Sequence, residues 1–172
     1  MSIVELLNDK SLKSKEKIGT LSKWVLEDSL TIEKLLVFAE NTKDSIKATC
    51  IEAIEYTTKE NSKIGDEALL TFVTNTLTSK APRVKWESAK VIGNIIHLFP
   101  NNLDEVISNL LINTNHEGTV VRWSAAFALG EILKMKTKYN KNLLSKIEVI
   151  CEQENKNSIR KIYLKAIEQL KI

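Results

Sequence analysis

The sequence predicts an all-α protein, a right-handed solenoid of about five stacked antiparallel helix pairs, and three features carry that expectation. Gly and Pro are scarce, five and two in 172 residues, which suits helices joined by short connections. One helical pattern recurs every 37 or 38 residues, a period that belongs to repeat architectures. A second pattern with the same period fills the gaps between copies of the first.

The first pattern is plainest in "PRVKWESAKVIGNI" at Pro82–Ile95 and "TVVRWSAAFALGEI" at Thr119–Ile132. Taking Val84 and Val121 as the starts of two frames, two further frames begin at Ile46 and Ile159. Four, seven, eight and eleven places on, the residues are apolar or small: Cys50, Ala53, Ile54 and Thr57, then Ser88, Val91, Ile92 and Ile95. Ala125, Ala128, Leu129 and Ile132 follow, and then Tyr163, Ala166, Ile167 and Leu170. At about 100° per residue these offsets form one narrow stripe, as a helix packed along one side requires. The fifth place on, Ile51, Ala89, Ala126 and Leu164, widens the stripe toward a second neighbour.

The second pattern is Leu69, Leu70 and Val73, then Val106, Ile107 and Leu110, then Leu143, Leu144 and Ile147, with Ile32, Leu35, Leu36 and Ala39 as an earlier copy. Ile18, Leu21 and Val25 make a weaker inner helix, and Ile3, Leu6 and Leu7 a short first one. One domain over 1–172 follows, with inner helices at approximately 14–27, 44–59, 82–98, 119–135 and 157–171. Asp66, Asn102 and Asn142 are expected near the starts of outer helices as caps, and Pro82 in a first turn, where its missing N–H costs nothing. "FPNN" at 99–102 and "HEG" at 116–118 are breaks. A lone hairpin cannot cover its apolar side, so the pairs must stack.

Composition bounds the function. The net charge is +3, but from Val121 onward 11 Lys and Arg face 5 acids, giving 11 − 5 = +6 there and −3 over the first 120 residues. A basic end of this size attracts acidic surfaces or phosphate, and is equally common on solvated helices. Cys50 and Cys151 are far apart and neither sits in a C-x-x-C pair, so buried reduced thiols are expected. The opening "SIVELLNDK" lacks a secretory pattern and no window approaches a membrane span, so a cytoplasmic protein without membrane attachment is expected. His97 and His116 are the only histidines. No H-E-x-x-H, G-x-S-x-G or Gly-rich phosphate loop occurs, and "NHEG" at 115–118 is a solvated turn, so no catalytic residue, metal ligand or cofactor is proposed.

"PRVKWESAKVIGNI" and "VVRWSAAFALGEI" resemble the second helix of HEAT-like repeats, where Pro or Asp, an aliphatic residue and Arg precede two small residues, an aliphatic pair and Gly. "DSIKATCIEAIEYT" at Asp44–Thr57 and "NSIRKIYLKAIEQL" at Asn157–Leu170 keep the aliphatic and basic start but carry Glu55 and Glu168 in place of the Gly. The similarity spans roughly residues 30–172 and is closest to the compact bacterial type. It implies a non-catalytic scaffold or adaptor that holds a protein partner on a concave face lined by the second helices. Some bacterial proteins of similar architecture are DNA glycosylases for alkylated bases. Nucleic-acid binding or repair is therefore the alternative, with Trp86, Trp123, Glu87 and Arg122 as its residue types. Against it, no Asp stands near either Trp and the net charge is modest.

Two residue sets stand out. Lys47, Lys85, Arg122 and Arg160 each follow a frame start by one place, forming a basic ladder that in this family mostly bonds to the neighbouring repeat. Trp86 and Trp123 fall about half a turn from the apolar stripe, so they are expected to point away from the core. Lys90 and Gly93, and Phe127 and Gly130, share that side, with His97 and Lys134 near the helix ends. One aromatic patch of Trp86 and Trp123, with Phe127 beside it and Arg83, Lys90 and Lys134 as flanking cations, is the expected partner-binding surface. The partner's identity and the oligomeric state are not legible.

Overall fold

The computed structural model describes residues 1–171. Ten α-helices are formed among them, and no strand. They are α1 (Ile3–Asn8), α2 (Ser14–Leu26), α3 (Ile32–Glu40), α4 (Asp44–Glu60), α5 (Glu67–Thr76), α6 (Pro82–Ile95), α7 (Asp104–Asn113), α8 (Thr119–Lys134), α9 (Asn140–Gln153) and α10 (Asn157–Leu170). Single 3-10 turns follow α4, at Ser62–Ile64, and α6, at Ile96–Leu98. The protein is an all-α solenoid of stacked helices.

Local chemistry sets the helix starts. Ser2 and Glu5 form a reciprocal cap on α1: the Ser2 N–H donates to Glu5 Oε2 at 2.6 Å, and the Glu5 N–H to Ser2 Oγ at 3.2 Å. Asp66 Oδ1 accepts the Leu69 N–H at 2.7 Å at the head of α5, and Pro82 occupies the first turn of α6. Two expected caps are corrected. Asn102 lies outside α7, in the left-handed region at φ 60°, a conformation Asn tolerates, and Leu103 precedes the helix without a side-chain cap. Asn142 lies inside α9; it is Asn140 whose Oδ1 accepts the Thr137 N–H, at 2.8 Å, which fixes the turn before it.

The even-numbered helices form one continuous layer, each packed closely along the next, while the odd-numbered helices pair mainly with their own partners and touch one another sparingly. The frame positions explain the layer: Ala125, Ala128, Leu129 and Ile132 of α8 are all fully buried, as are Val91, Ile92 and Ile95 of α6. Each buried Leu or Ile contributes roughly 1.5–3 kcal/mol. Polar bonds also tie successive pairs together. Thr57 Oγ1 donates to Ser22 Oγ at 3.0 Å between α4 and α2, and Asn94 Nδ2 donates to the Glu55 carbonyl at 3.2 Å between α6 and α4. On the other layer, Asn109 and Asn113 of α7 donate to the carbonyls of Thr74 and Leu77. Among the described residues no buried side-chain polar atom lacks a partner, so the polar residues inside the stack carry no desolvation penalty of the kind an orphaned group would. Cys50 and Cys151 are free and buried, and burial pushes the Cys50 thiol up to about 12.

Candidate functional site

The even-numbered helices, with the 3-10 turn after α6 for His97, carry the side chains singled out in the sequence. Trp123 is 40% exposed, and its ring stacks on Phe127 one turn along α8, centroids 6.0 Å apart and planes 16° from parallel. Offset stacking of this kind suits aromatic quadrupoles. The expected pairing of Trp86 with Trp123 is corrected: the stacked pair is Trp123 and Phe127, both on one helix. Trp86 is half-buried, and its indole N–H donates to Glu87 Oε1 at 2.7 Å.

Gly93 explains why Phe127 sits where it does. A Cβ on Gly93 would fall 2.6 Å from Phe127 Cδ1, far inside van der Waals contact. The Gly of α6 is thus the floor on which the ring of α8 rests, and the two helices approach through it. A Cβ on Gly130 would meet Ala166 Cβ of α10 at 3.4 Å, an ordinary contact, so only Gly93 is required for close helix approach.

The free cationic flank is also corrected, because each expected cation is held by a carboxylate. Arg83 Nη2 lies 2.5 Å from Glu52 Oε2. Lys90 Nζ lies 2.9 Å from Glu87 Oε2 and 3.4 Å from Glu55 Oε2, and Lys134 pairs with Glu131. His97 is exposed, with Nε2 3.4 Å from Ser62 Oγ. Glu87 and Glu131 stand three places before Lys90 and Lys134 on the same helix, a spacing that could have found them, whereas Glu52 and Glu55 lie on α4, which spacing along α6 does not reveal. Glu55, standing where the family places Gly, showed only as a departure from the pattern.

The Glu87–Lys90–Glu55 cluster is nearly dry, with side-chain exposures of 5%, 24% and 8%. Burial holds the Glu87 carboxyl above its ordinary value, more strongly than the bonds from Lys90 and Trp86 pull it down. Burial also pulls Lys90 down, but the bonds and charges of Glu87 and Glu55 outweigh it and hold the ammonium above its usual range. Two carboxylates therefore share one ammonium in a low-dielectric seam between α4 and α6. A cleft of about 420 Å³ opens beside it, lined by Glu52, Glu55, Tyr56, Lys59, Glu60 and Lys90, and Tyr56 is 43% exposed there.

The basic ladder separates into two kinds. Lys85 Nζ donates to the Leu77 carbonyl at 3.1 Å and to Asn113 Oδ1 at 2.9 Å; burial lowers its pKa. Arg122 donates from Nε to Glu154 Oε2 at 2.9 Å and from Nη1 to the carbonyls of His116 and Glu117. Both reach forward into the following pair. Burial pushes Glu154 up, but Arg122 and the Lys156 N–H outweigh it and hold the carboxyl below its usual value. Lys47 is half-buried and Arg160 exposed.

No family model and no curated protein matches the chain. Solved structures do. A designed armadillo repeat protein superposes with a TM-score of 0.66 at 14% identity, over 98% of this chain and 80% of that one. A second, solved in complex with the peptide (KR)4, gives 0.68 at 16% identity over 97% and 80%. This fold is a HEAT/armadillo-like helical repeat. An engineered protein matches the helical-repeat stack over 99% of this chain at a TM-score of 0.70 and 19% identity, and there the chain spans 47% of its counterpart's length. At these identities the shared property is the fold. Among the described residues no helix is long and apolar enough to cross a membrane, and no group of three or more His, Cys, Asp or Glu side chains is placed to hold a metal ion.

Proposed function

We propose that the protein is a non-catalytic scaffold or adaptor that binds a protein partner on the face of the even-numbered helices, with Trp123 and Phe127 as anchor and Trp86, Lys90, Arg83, Lys134 and His97 around them. The single observation that supports this most is the exposed Trp123 ring braced by Phe127 on the layer whose other large side chains are mostly buried. A rigid aromatic shelf loses little conformational freedom on binding, which is why Trp dominates interface energetics. Closer packing within the even-numbered layer than within the odd-numbered one supports reading that layer as the concave side.

The charges favour a peptide or protein over a phosphate backbone. Arg83, Lys90 and Lys134 are each engaged by a carboxylate, so a polyanion would have to compete with existing ion pairs, the Lys90 one nearly dry, to recruit them. An extended or helical segment that covers the indole and bonds to the rim of alternating acids and bases requires no such rearrangement.

Peptide-display selection against the immobilised chain tests this reading. Enriched sequences should bind the wild type and lose affinity at least tenfold for Trp123→Ala, whose melting temperature should stay close to that of the wild type because the ring is half in solvent. Enriched binders indifferent to Trp123, or a selection that yields no binder, would remove the scaffold reading.

A further inference from the structure

We infer that the slot between Gly130 of α8 and Lys165 of α10 receives a carboxylate side chain, Glu or Asp, from the protein segment held on the aromatic shelf. The inference rests on the reading above for the presence of that segment and adds the chemistry of one of its residues.

The repeat itself shows what belongs in the slot. Between consecutive even-numbered helices, the residue nine places after one frame start stands beside the residue six places after the next. From α4 to α6 these are Glu55 and Lys90, whose Oε2 and Nζ lie 3.4 Å apart. From α6 to α8 they are Gly93 and Phe127, and the ring takes the room of a side chain on Gly93, whose Cβ would fall 2.6 Å from Phe127 Cδ1. From α8 to α10 they are Gly130 and Lys165. Here the slot is an open cleft of about 270 Å³, lined by Phe127, Gly130, Ile162, Lys165 and Ala166 among others. The third slot thus keeps the lysine of the first without the carboxylate that meets it there.

Packing does not explain the glycine. A Cβ on Gly130 would meet Ala166 Cβ at 3.4 Å and Ile162 Cγ2 at 3.8 Å, both ordinary contacts. Gly inside a helix is destabilising relative to Ala, so the space above Gly130 is kept open without serving the approach of α8 and α10.

Charge selects the occupant. Lys165 is exposed and makes no ion pair among the described residues. Of the acids around it, Glu131 is held by Lys134, and Glu168, three places along α10, is not paired with it. Lys161, one turn back, is exposed and of the same sign as Lys165. Ile162 and Ala166 give the slot an apolar floor, which suits the methylene stem of an acidic side chain whose head meets the ammonium. A basic side chain would be repelled, and an aliphatic one would use the floor alone. Phe127 lines the slot and also stacks on Trp123, so a segment covering the indole runs beside Lys165.

One arm of the test needs no partner. Gly130→Glu places in the third slot the carboxylate that Glu55 supplies in the first, so it should raise the melting temperature, and more so with Lys165 than in a Lys165→Met background. The second arm uses peptides selected by display against the immobilised wild-type chain. They should carry Glu or Asp at a fixed position and bind at least tenfold more weakly to Gly130→Glu, whose slot is filled, and to Lys165→Glu. A peptide with Lys in place of that acid should recover binding to Lys165→Glu, which also shows that this variant is folded. Equal effects of Gly130→Glu in both backgrounds would overturn the equivalence of the slots. Peptides that depend on Trp123 yet tolerate both substitutions, or that fail the charge exchange, would overturn the inference and leave the scaffold reading standing. A selection without binders would remove both.

Discussion

Phe127 of α8 occupies the space that a side chain on Gly93 of α6 would need. A Cβ there would stand 2.6 Å from Phe127 Cδ1, so the aromatic shelf and the helix approach are one feature. Gly93→Ala gains about 1 kcal/mol of helix propensity and loses about 1–3 kcal/mol to overpacking. The expected result is a net loss of up to about 2 kcal/mol. In a Phe127→Ala background the clash is gone and Gly93→Ala should become stabilising. Chemical denaturation of the four chains of that double-mutant cycle measures the coupling; additive effects would show that the ring swings aside at no cost.

Gly130 makes the opposite case on the same helix layer. A Cβ there meets Ala166 Cβ at 3.4 Å and Ile162 Cγ2 at 3.8 Å, ordinary contact distances. Gly130→Ala should therefore keep most of the propensity gain and stabilise the chain by about 0.5–1 kcal/mol. A loss of stability measured by urea titration would mean that α8 and α10 need a closer approach than the one observed.

Period and pattern made the architecture legible, because a stripe at offsets of four, seven, eight and eleven admits one placement on a helix and 37-residue spacing admits one relation between helices. The site was less legible, for a reason visible in Arg83 and Lys90. Helical spacing tells which way a cation points along its own helix. It does not tell that Glu52 and Glu55 of the preceding inner helix point back at it. Lys85 and Arg122 were better placed from sequence, since a residue next to the buried stripe has only the neighbouring turn to bond with. Trp86 fell between the two cases: its ring turned outward as far as Glu87, one residue away, and stopped there. The stacking partner of Trp123 was not read from the sequence, although Phe127 stands four places on, the distance at which side chains on one helix meet.

Arg122 and Glu154 join α8 to the turn before α10 with side-chain exposures of 15% and 5%. Arg122→Met should cost about 2–4 kcal/mol at neutral pH, since it strands a buried carboxylate and frees the His116 and Glu117 carbonyls. Glu154 has a lowered pKa in the folded chain. Its contribution is therefore complete above the ordinary value of 4.5 and is lost as pH falls through the lower folded value. The gap between wild type and variant should narrow in acid, and urea midpoints at pH 7 and pH 3 would show it. A gap that widens in acid would place the stabilisation elsewhere.

Glu87 behaves with the opposite sign. Its pKa is raised above 4.5 by burial, so the folded state holds a proton that the unfolded chain has already released. The stability this group contributes is fully present below pH 4.5 and declines as pH rises through the folded value. Glu87→Gln substitutes a neutral side chain of equal size that can still accept from the Trp86 indole N–H, and so removes that decline. The stability of the variant relative to wild type should increase with pH above 4.5 and then level off, whatever its absolute value after losing the Lys90 ion pair. Melting temperatures of both chains from pH 4 to pH 8 supply the comparison. A difference that stays constant across this range would mean that Lys90, bonded to Glu87 Oε2 at 2.9 Å, offsets the cost of burial completely, and that the seam between α4 and α6 holds its two carboxylates charged without penalty.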